Sequence, residues 1–264
     1  MKIVALIQCS ATKTHIPSKE MIWDSDTKID KWIKSWNSQK NRYKAKSMYI
    51  GQSFKKNIKI INSTKNIEPW IISAGAGLLN LEDEIPAYES TFKNKKGPDS
   101  SNWHLLPMGN LSRIVNINAD RILLFTTKSY QLSILNDPSF DKIKHKLVVI
   151  STSPLTTSGK IIRVHPRGKE ILGVSGFALN SEYLRLYIEK GEDGFNKLYE
   201  KCNELPKRKK KKSLNDKELL LLVKQYRDIK TLTRIVRKIR DETDYGASYE
   251  RIRDAWIIKR KDEA

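Results

Sequence analysis

Cysteine and histidine are scarce in this sequence, and long apolar runs are absent. The two cysteines, Cys9 and Cys202, lie far apart, and the four histidines show no paired spacing. We therefore expect no metal site and no other cofactor. No run approaches the roughly 20 apolar residues that a membrane-spanning helix requires, and the N-terminal segment lacks the cleavage pattern of a signal peptide. These absences predict a reduced, cytoplasmic protein that does not bind a membrane.

Negative charge is also in short supply. Against 50 Lys and Arg the chain carries 30 Asp and Glu, which gives a net charge of +20 and an isoelectric point near 9.8. Such an excess is typical of proteins that bind nucleic acid, and double-stranded DNA is the predicted partner. The alternative is a general enrichment in lysine that is unrelated to binding.

Four apolar, β-branched runs predict buried strands at 3–7, 69–73, 121–125 and 146–151. Helical patterns are found at 41–61, 105–118, 129–135, 180–190 and 195–203. Strands that alternate with helices indicate βαβ units, so we expect an α/β fold with a central, mostly parallel sheet. In such sheets ligands bind beyond the carboxyl ends of the strands.

Small and hydroxyl-bearing residues follow each predicted strand. They lie in Gln8–Lys13, Ser73–Asn80, Thr126–Tyr130 and Ser151–Lys160, and an acidic segment, 82–89, comes after the second. We expect these segments to meet in a polar crevice at one edge of the sheet. Small residues allow a ligand to approach closely, and the lysines are suited to phosphate.

The composition changes near residue 206, where a run of basic residues begins. From Lys207 to Ala264 there are 19 Lys and Arg against 10 Asp and Glu, so positive charge is denser here than in the rest of the chain. We predict a domain at 1–205, a basic linker at 206–214 and a helical module at 215–264.

The predicted module contains three short helices, which begin near Asn215, Thr231 and Ala247. Three helices with a basic last one indicate a helix-turn-helix module that binds DNA. Residues near Ser248 would then begin the helix that reads the bases. The alternative is a basic three-helix cap that packs on the main domain.

Two segments, QCSATKT and SAGAGLLNLEDEIPAYESTF, together resemble a family of phage and bacterial proteins related to the YaaA peroxide-stress protein. That family pairs a Cys-Ser-x-x-Lys motif with a Ser-Ala-x-x-Gly-Leu motif and a Pro-x-Tyr-acid segment. The matching residues are Cys9, Ser10, Lys13, Ser73, Ala74, Gly77, Leu78, Pro86, Tyr88 and Glu89, and Tyr49, Ser53 and Phe54 fit the same pattern.

A second resemblance concerns the later strand ends. VVISTSPLTTSGK is similar to the uracil-DNA glycosylase segment that inserts a leucine into the duplex, with Leu155 at the matching place. LLFTTKSYQ resembles the strand and helix start before it, and Leu78-Leu79-Asn80 resembles the strand whose asparagine reads the base. Domains of archaeosine synthase with a similar Cys-Ser-x-x-Lys motif belong to the same superfamily. The resemblance implies a three-layer, uracil-DNA-glycosylase-like fold.

Two departures from the glycosylase motifs change the expected chemistry. The aspartate of Gly-Gln-Asp-Pro-Tyr has no counterpart at Gln8-Cys9-Ser10, and Ser151 or Thr152 stands where His-Pro-Ser-Pro-Leu-Ser has its histidine. Another carboxylate would have to stabilise the oxocarbenium-like state or orient water. The candidates are Asp24, Asp83, Glu84 and Glu89. Lys13 could instead attack C1′ and form a Schiff base, or hold a phosphate.

We predict a DNA glycosylase, a hydrolase that flips out a modified, non-uracil base and excises it, because the chain resembles phage-defence glycosylases. The alternatives are a non-catalytic DNA-binding stress protein of the YaaA kind and a transferase that modifies nucleic-acid bases. The predicted catalytic residues are Glu84, Glu89, Asp24 and Lys13. The predicted substrate-binding residues are Gln8, Cys9, Ser10, Tyr49, Ser73, Gly75, Gly77, Asn80 and Tyr88. The predicted DNA contacts are Lys128, Ser153, Leu155, Thr156, Lys160, Arg163, Arg167, Arg208, Lys209, Ser248, Arg251 and Arg253.

Overall fold

The structure is a computed structural model. It describes residues 1–93, 95–152, 154–176, 178–206, 212–226, 228–243 and 245–262. The chain divides into two compact units, residues 1–205 (unit 1) and residues 206–264 (unit 2). Each unit has a hydrophobic core of its own.

A six-stranded sheet is the main element of unit 1. The strands of this unit are β1 (Ile3–Gln8), β2 (Tyr43–Lys44), β3 (Ile67–Ser73), β4 (Gly77–Asn80), β5 (Glu84–Ile85), β6 (Arg121–Leu124), β7 (Leu147–Ser151) and β8 (Lys160–Arg163). The sheet has the order β4-β3-β1-β6-β7-β8, and β2 pairs with β5 in a separate antiparallel ladder. All strands of the large sheet are parallel except β4, which runs antiparallel to β3. The predicted α/β fold with a mostly parallel sheet is therefore confirmed.

Helices connect these strands. They are α1 (Ile29–Ser38), α2 (Ala45–Met48), α3 (Gln52–Asn62), α4 (Ser112–Val115), α5 (Lys128–Leu135), α6 (Phe140–Ile143), α7 (Gly168–Leu172) and α8 (Leu179–Glu204). Two short 3-10 helices lie at Lys19–Met21 and Ser100–Leu105. None of the described helices has the length and apolar character needed to cross a bilayer.

The middle of the sheet is built on β1, which lies between β3 and β6. Its residues Ile3–Ile7 are all buried, which explains a continuous apolar run rather than an alternating one. Gln8 lies opposite Ile72, so the polar residues that follow β1 and β3 come out at the same edge.

Two predicted helices differ from the structure. The pattern at 41–61 is divided into β2, α2 and α3, and Gly51 forms the N-cap of α3 with an extended backbone. The pattern at 105–118 is reduced to α4, because Gly109 has a φ of 87° and turns the chain before the helix begins. By contrast, the two helices predicted at 180–190 and 195–203 correspond to the two parts of α8, which are separated by a kink at Gly191, where the backbone is non-helical with a φ of 57°.

Unit 2 contains the helices α9 (Asp216–Gln225), α10 (Leu232–Glu242) and α11 (Tyr249–Asp262) and the short strands β9 (Lys212–Ser213) and β10 (Tyr245–Gly246). α9 starts in a capping box, in which Asn215 Oδ1 accepts from the Glu218 backbone N–H and Glu218 Oε2 accepts from that of Asn215. The end of the predicted linker is corrected, since Lys212 and Ser213 pair with β10.

Candidate active site at the carboxyl edge of the sheet

The polar strand ends meet at the carboxyl edge, as expected for parallel strands. The side-chain oxygen of Gln8 accepts from the backbone N–H of Thr127 at 3.1 Å, which joins the ends of β1 and β6. Buried Gln131 donates to the carbonyls of Thr126 and Ile150 and accepts from the Ser151 hydroxyl, which joins β6 to β7. This edge is therefore held by side chains as well as by the sheet.

A buried chain of three hydroxyls lies beneath this edge. The Ser73 Oγ is hydrogen-bonded to the Tyr88 hydroxyl, which bonds to the Tyr49 hydroxyl at 2.6 Å. Ser73 Oγ also accepts from the backbone N–H groups of Gly75 and Ala76. Burial raises the pKa of both tyrosines far above the ordinary value, so both stay protonated. These hydroxyls can orient and donate, but they do not supply a charge.

Gly75 allows this chain of hydroxyls to form. A Cβ at Gly75 would lie 2.7 Å from the Tyr88 ring and 2.8 Å from the Cβ of Ser90, so any larger residue displaces Tyr88. Two buried tryptophans fix the same turn, because the Trp32 indole donates to the Gly75 carbonyl and the Trp103 indole to the Ser73 carbonyl. The glycine is thus needed for close packing.

Lys13 covers the aromatic end of the hydroxyl chain. Its Nζ lies 4.7 Å from the centroid of the Tyr88 ring, and its backbone forms a bridge with Tyr49. Burial lowers the pKa of Lys13, while electrostatic interactions with Cys9 and with the Glu89 carboxylate act in the opposite direction. Lys13 is therefore an amine that loses its proton more easily than an ordinary lysine and has a carboxylate within its electrostatic reach.

Cys9 joins this cluster to a cavity. Its Sγ lies 3.4 Å from the hydroxyl of Tyr130, and its side chain is buried. Burial raises the pKa of Tyr130 well above the ordinary value, so this hydroxyl also stays neutral. Cys9 lines a cavity of about 340 Å³ together with residues 8 and 10–12 and the start of α3, residues 51–54. A ligand in this cavity would lie against the sulfur.

Ser10 shapes the wall of that cavity. Its Oγ accepts from the backbone N–H groups of Thr12 and Gly51, both at 3.0 Å. A Cβ at Gly51 would overlap the Ser10 Oγ, so the start of α3 can approach β1 this closely only with glycine. Ser10 is occupied by these structural bonds.

The structure separates the predicted catalytic carboxylates. Glu89 is the one whose charge acts on Lys13, and its backbone is fixed by bonds to Met21 and Trp23. Glu84 is exposed and pairs through its backbone with Lys44 in the small antiparallel ladder. Asp24 is exposed and caps a turn, because its carboxylate accepts hydrogen bonds from the Thr27 hydroxyl and the Asp26 backbone N–H.

Asn80 and Asp83 lie away from the cluster. β4 begins with Gly77 opposite Ser73 and ends with Asn80 opposite Trp70, so the strand leads away from the carboxyl edge. Asn80 is part of a turn with Asp83, whose carboxylate binds Arg113 at 2.6 and 3.0 Å. The expectation that this segment stays at the crevice is therefore corrected from Asn80 to Glu84, and the chain returns to the crevice at Tyr88.

The predicted DNA contacts of unit 1 are spread over its later segments. Lys128, Thr156 and Arg163 are exposed. Lys160 pairs with Glu192 at 2.6 Å and Arg167 with Glu170 at 2.8 Å. Leu155 is half-buried and packs against the core of unit 1, so insertion into a duplex would require it to leave this contact. Ser153, Arg208 and Lys209 lie outside the described residues.

In unit 2 the arginines predicted to read DNA are paired with acidic residues. Arg251 donates to Asp216 Oδ1 at 2.7 and 2.9 Å and to the Leu214 carbonyl at 2.6 Å. Arg253 pairs with its neighbour Asp254, and exposed Ser248 accepts from the Arg251 N–H. Arg251 therefore has a role inside the module, where it joins the starts of α9 and α11.

Sequence reasoning placed Tyr130 at this edge, in the segment 126–130, but it did not include Tyr130 or Gln131 among the substrate-binding residues, and it missed Trp103. Tyr130 and Gln131 directly follow the polar end of β6, and this position was the available signal. Trp103 had none, because it lies in a 3-10 helix far along the chain from Ser73. In the part of the chain that the structure describes, no three His, Cys, Asp or Glu side chains are grouped as metal ligands would be.

A model of a protein family of unknown function, DUF6884, matches residues 35–152. The matched segment contains Tyr49, Ser73, Tyr88, Glu89 and Tyr130. β1 and Lys13 precede it. No curated protein and no solved structure matches the chain.

Proposed function

We propose that this chain is a DNA glycosylase that excises a modified base from a nucleotide held at the carboxyl edge of the sheet. The observation that carries the proposal is the position of Lys13. Its amine has a lowered pKa, lies over the Tyr88 ring, and interacts electrostatically with Glu89 and Cys9. A nucleophile and a carboxylate are the minimum that cleavage of an N-glycosidic bond requires, and Cys9 lines the cavity that would take the base.

Several wider features support this assignment. The mostly parallel sheet is compatible with the three-layer, uracil-DNA-glycosylase-like architecture that the sequence resembles. A net charge of +20 suits a DNA substrate. The cavity of about 340 Å³ is within the range for small-molecule sites and has room for a bulky base.

In the proposed reaction the neutral amine of Lys13 attacks C1′ of the extruded nucleotide. The C1′–N bond breaks, the base leaves with the bonding electrons and takes up a proton, and opening of the sugar ring gives a Schiff base. Water then hydrolyses the Schiff base, which leaves an abasic site and regenerates the amine. Glu89 provides the negative charge that stabilises the oxocarbenium-like state. The hydrogen-bonded hydroxyls of Tyr88 and Tyr49 hold the Tyr88 ring in place against Lys13.

The test uses plain, uracil-containing and phage-modified DNA with the purified chain. Alkali-labile breaks are scored on a denaturing gel, and borohydride is added in parallel to trap a Schiff base. We expect breaks and trapping in modified DNA alone. Lys13→Met should abolish trapping and reduce excision about 100-fold or more, and Glu89→Gln should reduce excision at least about tenfold.

Glu84→Gln and Asp24→Asn are the matched controls, because the Asp24 carboxylate caps its own turn, Glu84 belongs to the small antiparallel ladder, and neither is among the groups that shift the pKa of Lys13. Both variants should stay within about twofold of the wild type. Excision without trapping would show that water, and not Lys13, is the nucleophile. Intact modified DNA together with tight, salt-sensitive binding would instead identify a non-catalytic DNA-binding protein.

A further inference from the structure

A second concave surface runs along α3 and carries no role in the proposed chemistry. This surface, the α3 groove, has a volume of about 620 Å³. Its lining residues include Lys46, Ser47, Ile50, Lys55, Ile58 and Lys59. Its rim is basic and its floor apolar.

The charge of the α3 groove comes from two lysines in a row. Lys55 and Lys59 are exposed and lie one helical turn apart, about 6 Å along the helix axis. Neither forms an ion pair with a described residue, whereas Lys46 is paired with Glu82 at 2.6 Å. The residues that line the groove include no aspartate or glutamate. Two uncompensated cations on one line favour a linear polyanion.

The α3 groove adjoins the cavity beside Cys9. Phe54 lines both the groove and this cavity, so the two spaces share a wall at the start of α3. Tyr49 also lines the groove, and its hydroxyl belongs to the buried chain with Tyr88. A ligand in the groove therefore lies next to the cavity proposed to hold the extruded base.

We infer that the α3 groove binds the phosphodiester backbone of a single DNA strand, the strand that leads to the nucleotide in the cavity. This inference rests on the proposed function, because the bound strand is taken to be the one that carries the nucleotide to be excised. Binding of the strand can nevertheless be measured independently of excision. Lys55 and Lys59 contact the phosphates, and Ile50 and Ile58 contact the sugars. One row of lysines beside an apolar floor fits one unpaired strand, as in other sites that follow a single-strand backbone.

The test is the salt dependence of binding to a fluorescent oligothymidylate and to a matched duplex, measured by anisotropy with the full chain. The variant is Lys55→Gln with Lys59→Gln. Its control is Lys142→Gln with Lys146→Gln, which removes the same charge from α6 and from the residue before β7, whereas α3 packs against β1 and β3. Thermal unfolding of both variants checks that they remain folded.

The plot of log K against log salt for the single strand should lose about 1.4 units of slope in the groove variant, since each phosphate contact contributes about 0.7. The control variant should keep the wild-type slope. Equal slopes in the two variants would overturn the inference, as would a loss confined to the duplex. Plain oligothymidylate carries no modified base, so a failed glycosylase assay does not affect this result. An unchanged slope in the groove variant, found together with active excision, would reject the groove and leave the proposed function standing.

Discussion

Burial and nearby charge have opposite effects on the pKa of Lys13. Burial lowers its pKa from the ordinary value of 10.5, and electrostatic interactions with Cys9 and with the Glu89 carboxylate raise it. The net direction is downward, so desolvation has the larger effect. Removing a negative charge from this environment must therefore lower the pKa of Lys13 further.

This gives a pH prediction with a definite sign. Borohydride trapping should increase with pH and level off below 10.5, the ordinary lysine pKa, because only the neutral amine attacks. In Glu89→Gln the inflection should move to lower pH, because one of the groups that raises the pKa of Lys13 has lost its charge. The measurement is single-turnover trapping across the pH range.

Glu84→Gln serves as the control for the pH profile, since Glu84 is exposed on β5. Its inflection should coincide with that of the wild type. An unchanged or upward inflection in Glu89→Gln would mean that Glu89 does not act on Lys13.

Among the secondary-structure elements, α11 departs furthest from its predicted role. The sequence predicted that its first turn reads DNA, but the Arg251 guanidinium is bonded to Asp216 and to the Leu214 carbonyl. An arginine with both partners inside the module stabilises it. A charge pattern alone does not distinguish an arginine that faces DNA from one that joins two helices.

Arg251→Ala should therefore weaken unit 2 by about 1–2 kcal/mol, because the Leu214 carbonyl and Asp216 lose their donor. Hydrogen exchange of peptides from α9 and α11 reports this locally, and both should exchange faster. Arg253→Ala is the matched control, since Arg253 pairs with Asp254, the next residue, and exchange should be unchanged. Equal exchange in both variants would show that the Arg251 bonds add nothing to stability.

For the molecule as a whole, two separate cores imply that unit 1 can fold alone. A fragment of residues 1–205 should show one cooperative thermal transition, because its core contains all six strands of the large sheet. It should also lose affinity for long duplex DNA while it keeps slow excision on short substrates. The segment after it carries 19 Lys and Arg against 10 Asp and Glu.

Thermal scans followed by circular dichroism and excision assays on short and long DNA check this prediction. A fragment that lacks a cooperative transition would mean that unit 2 is required for folding. Unchanged affinity for long DNA would place the main binding surface in unit 1.

The strands β1, β3, β6 and β7 were predictable because they are largely apolar and are followed by polar residues, as in Ile3–Gln8, whereas β4 and β8 were not predicted. Lys13, Ser73 and Tyr88 were also found from sequence, since their motifs lie next to strand ends. The choice of Glu89 over Glu84 could not be made from sequence, because it depends on β4 turning back and on the chain returning to the carboxyl edge of the sheet. Such long-range geometry leaves no periodic signal.

The position of β1 has a consequence for synthesis on the ribosome. β1 precedes both of its neighbours in the chain, and its second neighbour, β6, begins at Arg121. Until that strand has emerged, the five consecutive apolar residues Ile3–Ile7 keep one hydrogen-bonding side unpaired. The nascent chain therefore carries an open, aggregation-prone edge until the residues up to β6 have been translated, and a chaperone that covers it would act before β6 is made.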